Sequence, residues 1–287
     1  MGITTLWFFV FLFLSVIVYY VFPRKFRWIT LLLSSLVFFL CASSYLMLIY
    51  MFFGILVTYV AAILIDGKFK ENVKARKITL LLSMFFIIAQ LSCLKYINIV
   101  PTTINAFASL FNINFHMNTI NLIAPLGISY YTLSLISYVI DVYRTTSNAQ
   151  KNFFKHALFT CYYPLMISGP IVRFEYMKDQ LFGERKYDFK NILYGAQRIV
   201  YGLLKKMVVA DQLAIVVKFI FKNYENISGF TVVLGVIFYA VQIYCDFSGC
   251  IDIVSGASKL YGVDLPRNFD SPFFSQNLSE RSEEQRK

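Results

Sequence analysis

Charge is what this sequence has least of. Only 15% of its 287 residues are Asp, Glu, Lys or Arg, against about 25% in soluble domains, which need them to cover a surface. With 58% hydrophobic residues, 18% aromatic ones and a mean hydropathy of +0.61, the deficit is too large for one buried core to absorb. A water-soluble exterior is excluded, and lipid becomes the solvent for much of the surface. Histidine is scarcer still: His116 and His156 are the two present. Neither is coupled to a Ser or Cys nucleophile or stands at metal-ligand spacing, so neither is assigned a catalytic or metal role. No HExxH and no phosphate-cradling glycine loop occurs. The five cysteines (Cys41, Cys93, Cys161, Cys245 and Cys250) are odd in number, form no CxxC pair and sit mostly in apolar runs. They read as small packing residues, not as a disulfide framework. A basic n-region is missing too, since the first charge is Arg24. The apolar run at 3–22 is about twenty residues long, enough to span a bilayer and too long for a cleavable h-region. It reads as the first membrane helix.

What the sequence does have is a series of apolar runs with basic breaks. The run at 3–22 is followed by Pro23-Arg24-Lys25-Phe26-Arg27, a short run at 28–40, a turn at 41–44, and a run at 45–65. A loop at 66–77 carries Lys68, Lys70, Lys74, Arg76 and Lys77, and runs at 78–99 and 122–142 follow. Residues 102–121 contain no Lys, Arg, Asp or Glu. Positive loops mark the cytoplasmic side. With 23–27 and 66–77 inside, the two crossings between them fit, and the N-terminus and the neutral stretch fall outside. The next crossing returns Arg144 to the cytoplasm. The net charge of +11 is thereby explained by juxtamembrane loops facing anionic headgroups, and a nucleic-acid partner is excluded.

The second half is less regular. The run at 157–172 is short and holds Pro164, Gly169 and Pro170, so a broken or re-entrant element is expected. Residues 173–190 are charged and belong at the cytoplasmic surface. Residues 192–221 mix apolar stretches with Arg198, Lys205, Lys206 and Asp211, which suggests an interfacial or protein-facing helix. The last long apolar stretch, 230–260, contains Asp246 and Asp252. An aspartate at the centre of a membrane helix costs roughly 2.5–3.5 kcal/mol or more, so such residues face protein or a wet cavity. Tyr239, Gln242, Asp246 and Gly249 share one helical face. Ser248, Gly249 and Gly256 make the stretch easy to break or to pack closely. Two readings stand side by side: a structural hydrogen-bond network, or a direct role in a substrate passage. Neither an internal repeat nor a linker divides the chain, which reads as one all-α, polytopic transmembrane domain over 1–280 with a polar tail at 281–287.

Four segments then resemble a known family. They are Pro125-Leu126-Gly127-Ile128-Ser129-Tyr130-Tyr131-Thr132 running on to Ser137-Tyr138-Val139-Ile140-Asp141-Val142-Tyr143-Arg144; Tyr163-Pro164 with Ser168-Gly169-Pro170-Ile171-Val172-Arg173; Gln242-Ile243-Tyr244-Cys245-Asp246-Phe247-Ser248-Gly249 with Asp252 and Gly256; and Leu265-Pro266-Arg267-Asn268-Phe269-Asp270-Ser271-Pro272-Phe273. In order and spacing they resemble the membrane-bound O-acyltransferases (MBOAT), in the subgroup of the alginate O-acetylation protein. The likeness covers nearly the whole chain up to about Glu280. It implies a helical shell around a thinned membrane centre, with re-entrant elements and a tunnel where donor and acceptor meet from opposite sides. It implies acyl transfer, usually acetyl, to hydroxyls of an exported polysaccharide. No permanently bound cofactor is implied; the acyl donor is a co-substrate, with acetyl-CoA or an acyl carrier as candidates. The implied partners are the bilayer, the polysaccharide and other cell-envelope acetylation proteins. Along the passage or its polar network the resemblance and the residue reading together put Asp246, Gln242, Tyr239, Ser248, Asp252, Arg173 and Asn268. The alternative class is a polytopic transporter or channel-like protein, which would also carry membrane aspartates and broken helices.

The resemblance breaks after Asn277-Leu278-Ser279-Glu280. There the family runs into an aromatic and basic segment with one histidine, and a second, principal histidine follows in a later helix. Here the sequence reads Arg281-Ser282-Glu283-Glu284-Gln285-Arg286-Lys287. His116 and His156 do not sit in matching positions, so no catalytic residue is carried over. The helical shell is expected to be incomplete and the 287 residues inactive by themselves, because a sugar hydroxyl needs a positioned base to become a nucleophile.

Overall fold

The computed structural model describes residues 2–43, 45–96, 99–111, 117–118 and 127–266. In chain order the helices are α1 (Leu6–Val21), α2 (Arg27–Ala42), α3 (Tyr45–Asp66), α4 (Val73–Tyr96), α5 (Ile99–Leu110), α6 (Ile128–Tyr143), α7 (Phe153–Cys161), α8 (Tyr163–Ser168), α9 (Phe174–Phe182), α10 (Phe189–Leu203), α11 (Asp211–Lys222) and α12 (Gly229–Leu260). A π-helical segment, Leu204–Ala210, joins α10 to α11. No strand occurs among the described residues. An apolar chain in lipid must satisfy its backbone within each segment, and the helix does this. Among the described residues, four helical stretches are long and apolar enough to cross a membrane: Arg24–Ala42, Tyr45–Asp66, Val73–Tyr96 and Gly229–Leu260. The chain is an all-α, multi-pass membrane protein.

Local chemistry sets the boundaries. α1 stops because Phe22 precedes Pro23 and takes extended backbone, φ −72° and ψ 148°, as the proline ring requires of its predecessor. At α4, Asn72 Oδ1 accepts from Ala75 N at 3.0 Å, a side-chain cap of the N-terminus. Helix therefore begins at Val73, and Lys74, Arg76 and Lys77 stand on the first turns of α4. The basic loop expected over 66–77 is shorter than the charge pattern suggested. The run at 157–172 is broken as expected: α7 and α8 are separated at Tyr162, and Pro164 sits in the first turn of α8, where its missing N–H costs nothing. At nine and six residues, neither helix is long enough to cross. Of the two outcomes expected around Ser248, Gly249 and Gly256, a break or close packing, it is close packing that occurs. α12 is continuous over 32 residues.

The chain forms two compact units. One comprises the described residues of 28–166 and 173–182, where α3 packs on α4, α6 and α7. Its core is aromatic: Tyr131, Tyr138, Tyr162 and Tyr163 are fully buried, and Phe174 stands edge-on to Tyr138 and Phe159 at 5.0 and 5.1 Å. Gly127 begins α6 with φ +70°, and a Cβ there would collide with the backbone carbonyl of Met166 in α8. Only glycine serves both needs.

The other unit comprises the described residues of 1–27, 167–172 and 183–287, where α10, the π segment and α11 pack on α12. α1 joins it through Tyr261, whose hydroxyl lies 2.5 Å from Ser15 Oγ and whose ring meets Tyr19 edge-on at 5.1 Å. Arg27, just 7% exposed, donates to the carbonyls of Tyr20, Phe22 and Arg185. The basic break after the first run is thus partly structural.

Candidate functional site

α12 divides into two halves. Its first half is apolar and mostly turned outward, with Gly235 buried against Ile220 of α11, whereas in the second half Ser248, Gly249, Ile251, Ile253, Val254, Ser255, Gly256, Ala257 and Ser258 are buried. The buried half packs on α10 and the π segment through four glycines. A Cβ on Gly195 would lie 2.8 Å from the Gly256 carbonyl oxygen, and one on Gly202 would lie 2.6 Å from that of Gly249. Each pair is spaced seven residues, two helical turns, along its own helix. The helices run antiparallel and touch backbone to backbone along this seam, as small residues allow.

Charged side chains flank the seam. On one side Asp252 receives two cations: Arg198 Nε donates to Oδ1 at 3.1 Å and Lys205 Nζ to Oδ2 at 2.7 Å. Lys205 also donates to Ser248 Oγ at 2.9 Å and sits 4.4 Å from the centre of the Tyr201 ring. Arg198 and Lys205 stand two turns apart, and Ser248 and Asp252 one turn apart, so each pair shares a helix face. On the other side Lys206 Nζ pairs with the carboxylate of Asp246 and lies 3.5 Å from Asp211 Oδ1. The π segment carries both lysines. Such segments are common at functional sites, and here two adjacent lysines serve the two flanks.

The three cations are matched by Asp246, Asp252 and Asp211. The first flank is shielded, with side chains 14–21% exposed, while Asp246 is 47% exposed. Asp252 is thus held as a structural cross-link, and Asp246 presents an oxygen-rich, accessible edge.

The other expected site residues are distributed as follows. Ser248 belongs to the Asp252 flank. Gln242 Oε1 is buried without a hydrogen-bond partner among the described residues. Tyr239 is exposed, with its ring edge-on to Phe221 at 6.1 Å. Asp246 draws its partner from the π segment, where sequence reasoning looked to Gln242 and Tyr239. Arg173 is exposed, directly before α9, in the unit that does not contain the seam. Asn268 and His116 lie outside the described residues, as does the polar tail. What sequence reasoning missed was the matching of Arg198, Lys205 and Lys206 with the two aspartates. The signal was there, because glycines recur at seven-residue spacing in both segments.

His156 is fully buried in the other unit. Its ring stacks on Tyr138 at 4.4 Å, and Nε2 lies 3.0 Å from Thr58 Oγ1. The Thr58 hydroxyl donates to the Gly54 or Ile55 carbonyl at 3.0 Å, so it accepts from Nε2–H. His156 packs the core.

An apolar, multi-pass helical protein with charged side chains matched across a glycine seam belongs to the class of membrane proteins built around intramembrane polar sites. Comparison with known proteins narrows the class. No family model matches the chain. Among curated relatives, the probable alginate O-acetylase AlgI of Pseudomonas syringae pv. tomato is 32% identical over 274 residues, 95% of this chain and 52% of that protein. The peptidoglycan O-acetyltransferase of Helicobacter pylori is 29% identical over 231 residues, 71% of this chain and 43% of that protein. The teichoic acid D-alanyltransferase of Bacillus subtilis is 28% identical over 165 residues, 56% of this chain and 41% of that protein. The chain spans about half the length of the curated relatives it matches. By this homology it belongs to the membrane-bound O-acyltransferases.

Proposed function

We propose that the chain forms part of an O-acyltransferase that moves an acyl group, acetyl on the strength of its relatives, onto hydroxyls of an exported cell-surface polysaccharide. The observation that carries the reading is the run of identity with alginate O-acetylases across 95% of the chain. The relatives' names share one chemistry, acyl transfer to a polymer: acetyl to alginate or peptidoglycan, D-alanyl to teichoic acid. In that reaction the hydroxyl oxygen bonds to the acyl carbonyl carbon, the donor's leaving group departs with the bond electrons, and a base takes the hydroxyl proton. The donor is a co-substrate such as acetyl-CoA or an acyl carrier. Other envelope acetylation proteins are the natural partners of such an enzyme.

Within this chain, the seam on α12 serves the passage. Asp252 with Arg198 and Lys205 fixes α10 against α12, and Asp246 with Lys206 offers hydrogen-bonding groups to a polar acceptor. We place the base elsewhere, since both carboxylates are held by cations and His156 is locked in a core. Gln242 and Tyr239 extend the polar lining beside Asp246, Ser248 supports it from the Asp252 flank, and Arg173 and Asn268 are further candidates for substrate contact. The basic breaks put the N-terminus outside the cell membrane.

The test is Asp246→Asn in a full-length homologue expressed in a strain without its own acyltransferase, with acetyl on the polysaccharide as the readout. Reduced transfer with normal membrane insertion is expected. Wild-type transfer would reduce Asp246 to helix packing. Substrate flux without covalent transfer would replace the enzyme with a transporter.

A further inference from the structure

The charges of the seam are matched in number but not in place. On one flank two cations, Arg198 and Lys205, share the carboxylate of Asp252, whereas on the other two carboxylates, Asp246 and Asp211, share Lys206. Each flank therefore keeps one elementary charge, positive on the first and negative on the second. The negative excess sits on accessible groups, where water and counterions compensate it. The positive excess does not. Arg198, Lys205 and Asp252 are all shielded, and a shielded charge without an opposite partner is costly.

Hydrogen-bond donors are in excess on the same flank. Arg198 reaches Asp252 through Nε, and among the described residues its Nη1 and Nη2 donate to nothing. The outer fork of the guanidinium, four N–H groups, is unused. Lys205 gives one N–H to Asp252 and one to Ser248 and has a third left. Both oxygens of Asp252 are already taken by these two cations. Farther along α12, Ser255 is 2% exposed, and its Oγ has no partner among the described residues. Ser248, Asp252 and Ser255 recur at steps of four and three residues, which is one helix face. An unpaired positive charge, idle donors on both cations and a buried hydroxyl on that face are complementary to an anion with several acceptor oxygens.

We propose that the Asp252 flank binds a phosphate group of single negative charge, with the Arg198 fork and Lys205 as its donors and Ser255 at its edge. The unused N–H groups of the two cations exceed the roughly four acceptor positions of a carboxylate, and a guanidinium fork fits phosphate oxygens in pairs. A single negative charge brings the flank to neutrality. The phosphate belongs either to a soluble phosphate compound or to a lipid headgroup. The site rests on the charge and donor count of this flank and stands whether or not the chain transfers acyl groups.

The experiment uses the full chain in maltoside micelles, which contain no phosphate. Thermal unfolding, followed by far-UV circular dichroism, is compared in sodium phosphate and in sodium chloride of equal ionic strength. Phosphate well above its Kd is expected to raise Tm by about 2 °C or more. Arg198→Gln should remove the rise, measured against the variant's own chloride baseline, so that lost stability and lost binding are read separately. Arg198→Lys, which keeps the positive charge and loses the fork, should at least halve it. Lys218→Gln, at an exposed position of α11, should leave it unchanged. A second arm replaces inorganic phosphate with dihexanoyl phosphatidylglycerol. A rise with this lipid alone assigns the site to a headgroup, and a rise with inorganic phosphate assigns it to soluble phosphates. No rise in either arm, or an equal rise in Arg198→Gln, would overturn the site.

Discussion

Replacing Asp252 by Asn keeps the shape of the side chain and removes the one carboxylate shared by Arg198 and Lys205. Both cations are largely shielded, at 21% and 18% exposure. Breaking a buried ion pair from one side costs about 3–5 kcal/mol, because a charge is left uncompensated. Partial exposure and the contacts Lys205 keeps with Ser248 and the Tyr201 ring lower this to roughly 2–4 kcal/mol. Asp246→Asn is a different perturbation. Lys206 retains Asp211 at 3.5 Å, so no cation is left without a carboxylate and the cost stays smaller, by about 1 kcal/mol or more. A gap of that size corresponds to about a fivefold or greater difference in the folding equilibrium. Unfolding of purified chains by SDS in mixed micelles, followed by far-UV circular dichroism, reads this directly. Replacing the group together, Asp252→Leu with Arg198→Met and Lys205→Met, should recover most of the loss, since apolar substitutes need no compensation. If Asp246→Asn destabilises as much as Asp252→Asn, the division of the seam into a structural flank and an accessible one is wrong.

Other expectations follow from particular contacts. Gly202→Ala brings a Cβ to 2.6 Å from the Gly249 carbonyl oxygen and should cost about 1–3 kcal/mol through overpacking; Gly229→Ala, where nothing lies within 4 Å, should be near neutral in the same unfolding assay. The 287 residues expressed alone should give no polysaccharide acetylation above the empty-vector background, because His156 is sealed against Thr58 and Tyr138; acetylation by this chain would demand another base. A cysteine at Thr5, in a chain whose own cysteines are replaced, should react with an impermeant maleimide on intact cells, and one at Lys68 only after permeabilisation, the order set by the basic breaks.

The helices were legible because lipid leaves the backbone few choices: an apolar run of sufficient length must become helix. The runs at 45–65 and 230–260 became α3 and α12 within a residue or so. The break at 157–172 was legible from Pro164 for the same reason. Boundaries failed where a side chain outweighed composition, as at Asn72, whose cap begins α4 ahead of three basic residues. Asp246 and Asp252 stood out as charges in an apolar stretch. Their partners did not, because periodicity describes the faces of one helix and says nothing about which other helix will lie against it.

The pairing becomes intelligible once the glycines are treated as addresses. Gly195 and Gly202 face Gly256 and Gly249 at backbone contact, and no other register of an antiparallel pair brings both couples together. That register fixes every neighbour: with Gly202 against Gly249, Lys205 and Arg198 fall beside Asp252, and the π segment delivers Lys206 to Asp246. The charges therefore specify the pairing as well as stabilise it, since a slip by one turn would strand lysines and aspartates in a medium where each is costly. A membrane enzyme that must hold polar substrates within an apolar shell needs polar groups at fixed depth. A glycine seam with matched charges on both flanks fixes that depth without relying on water.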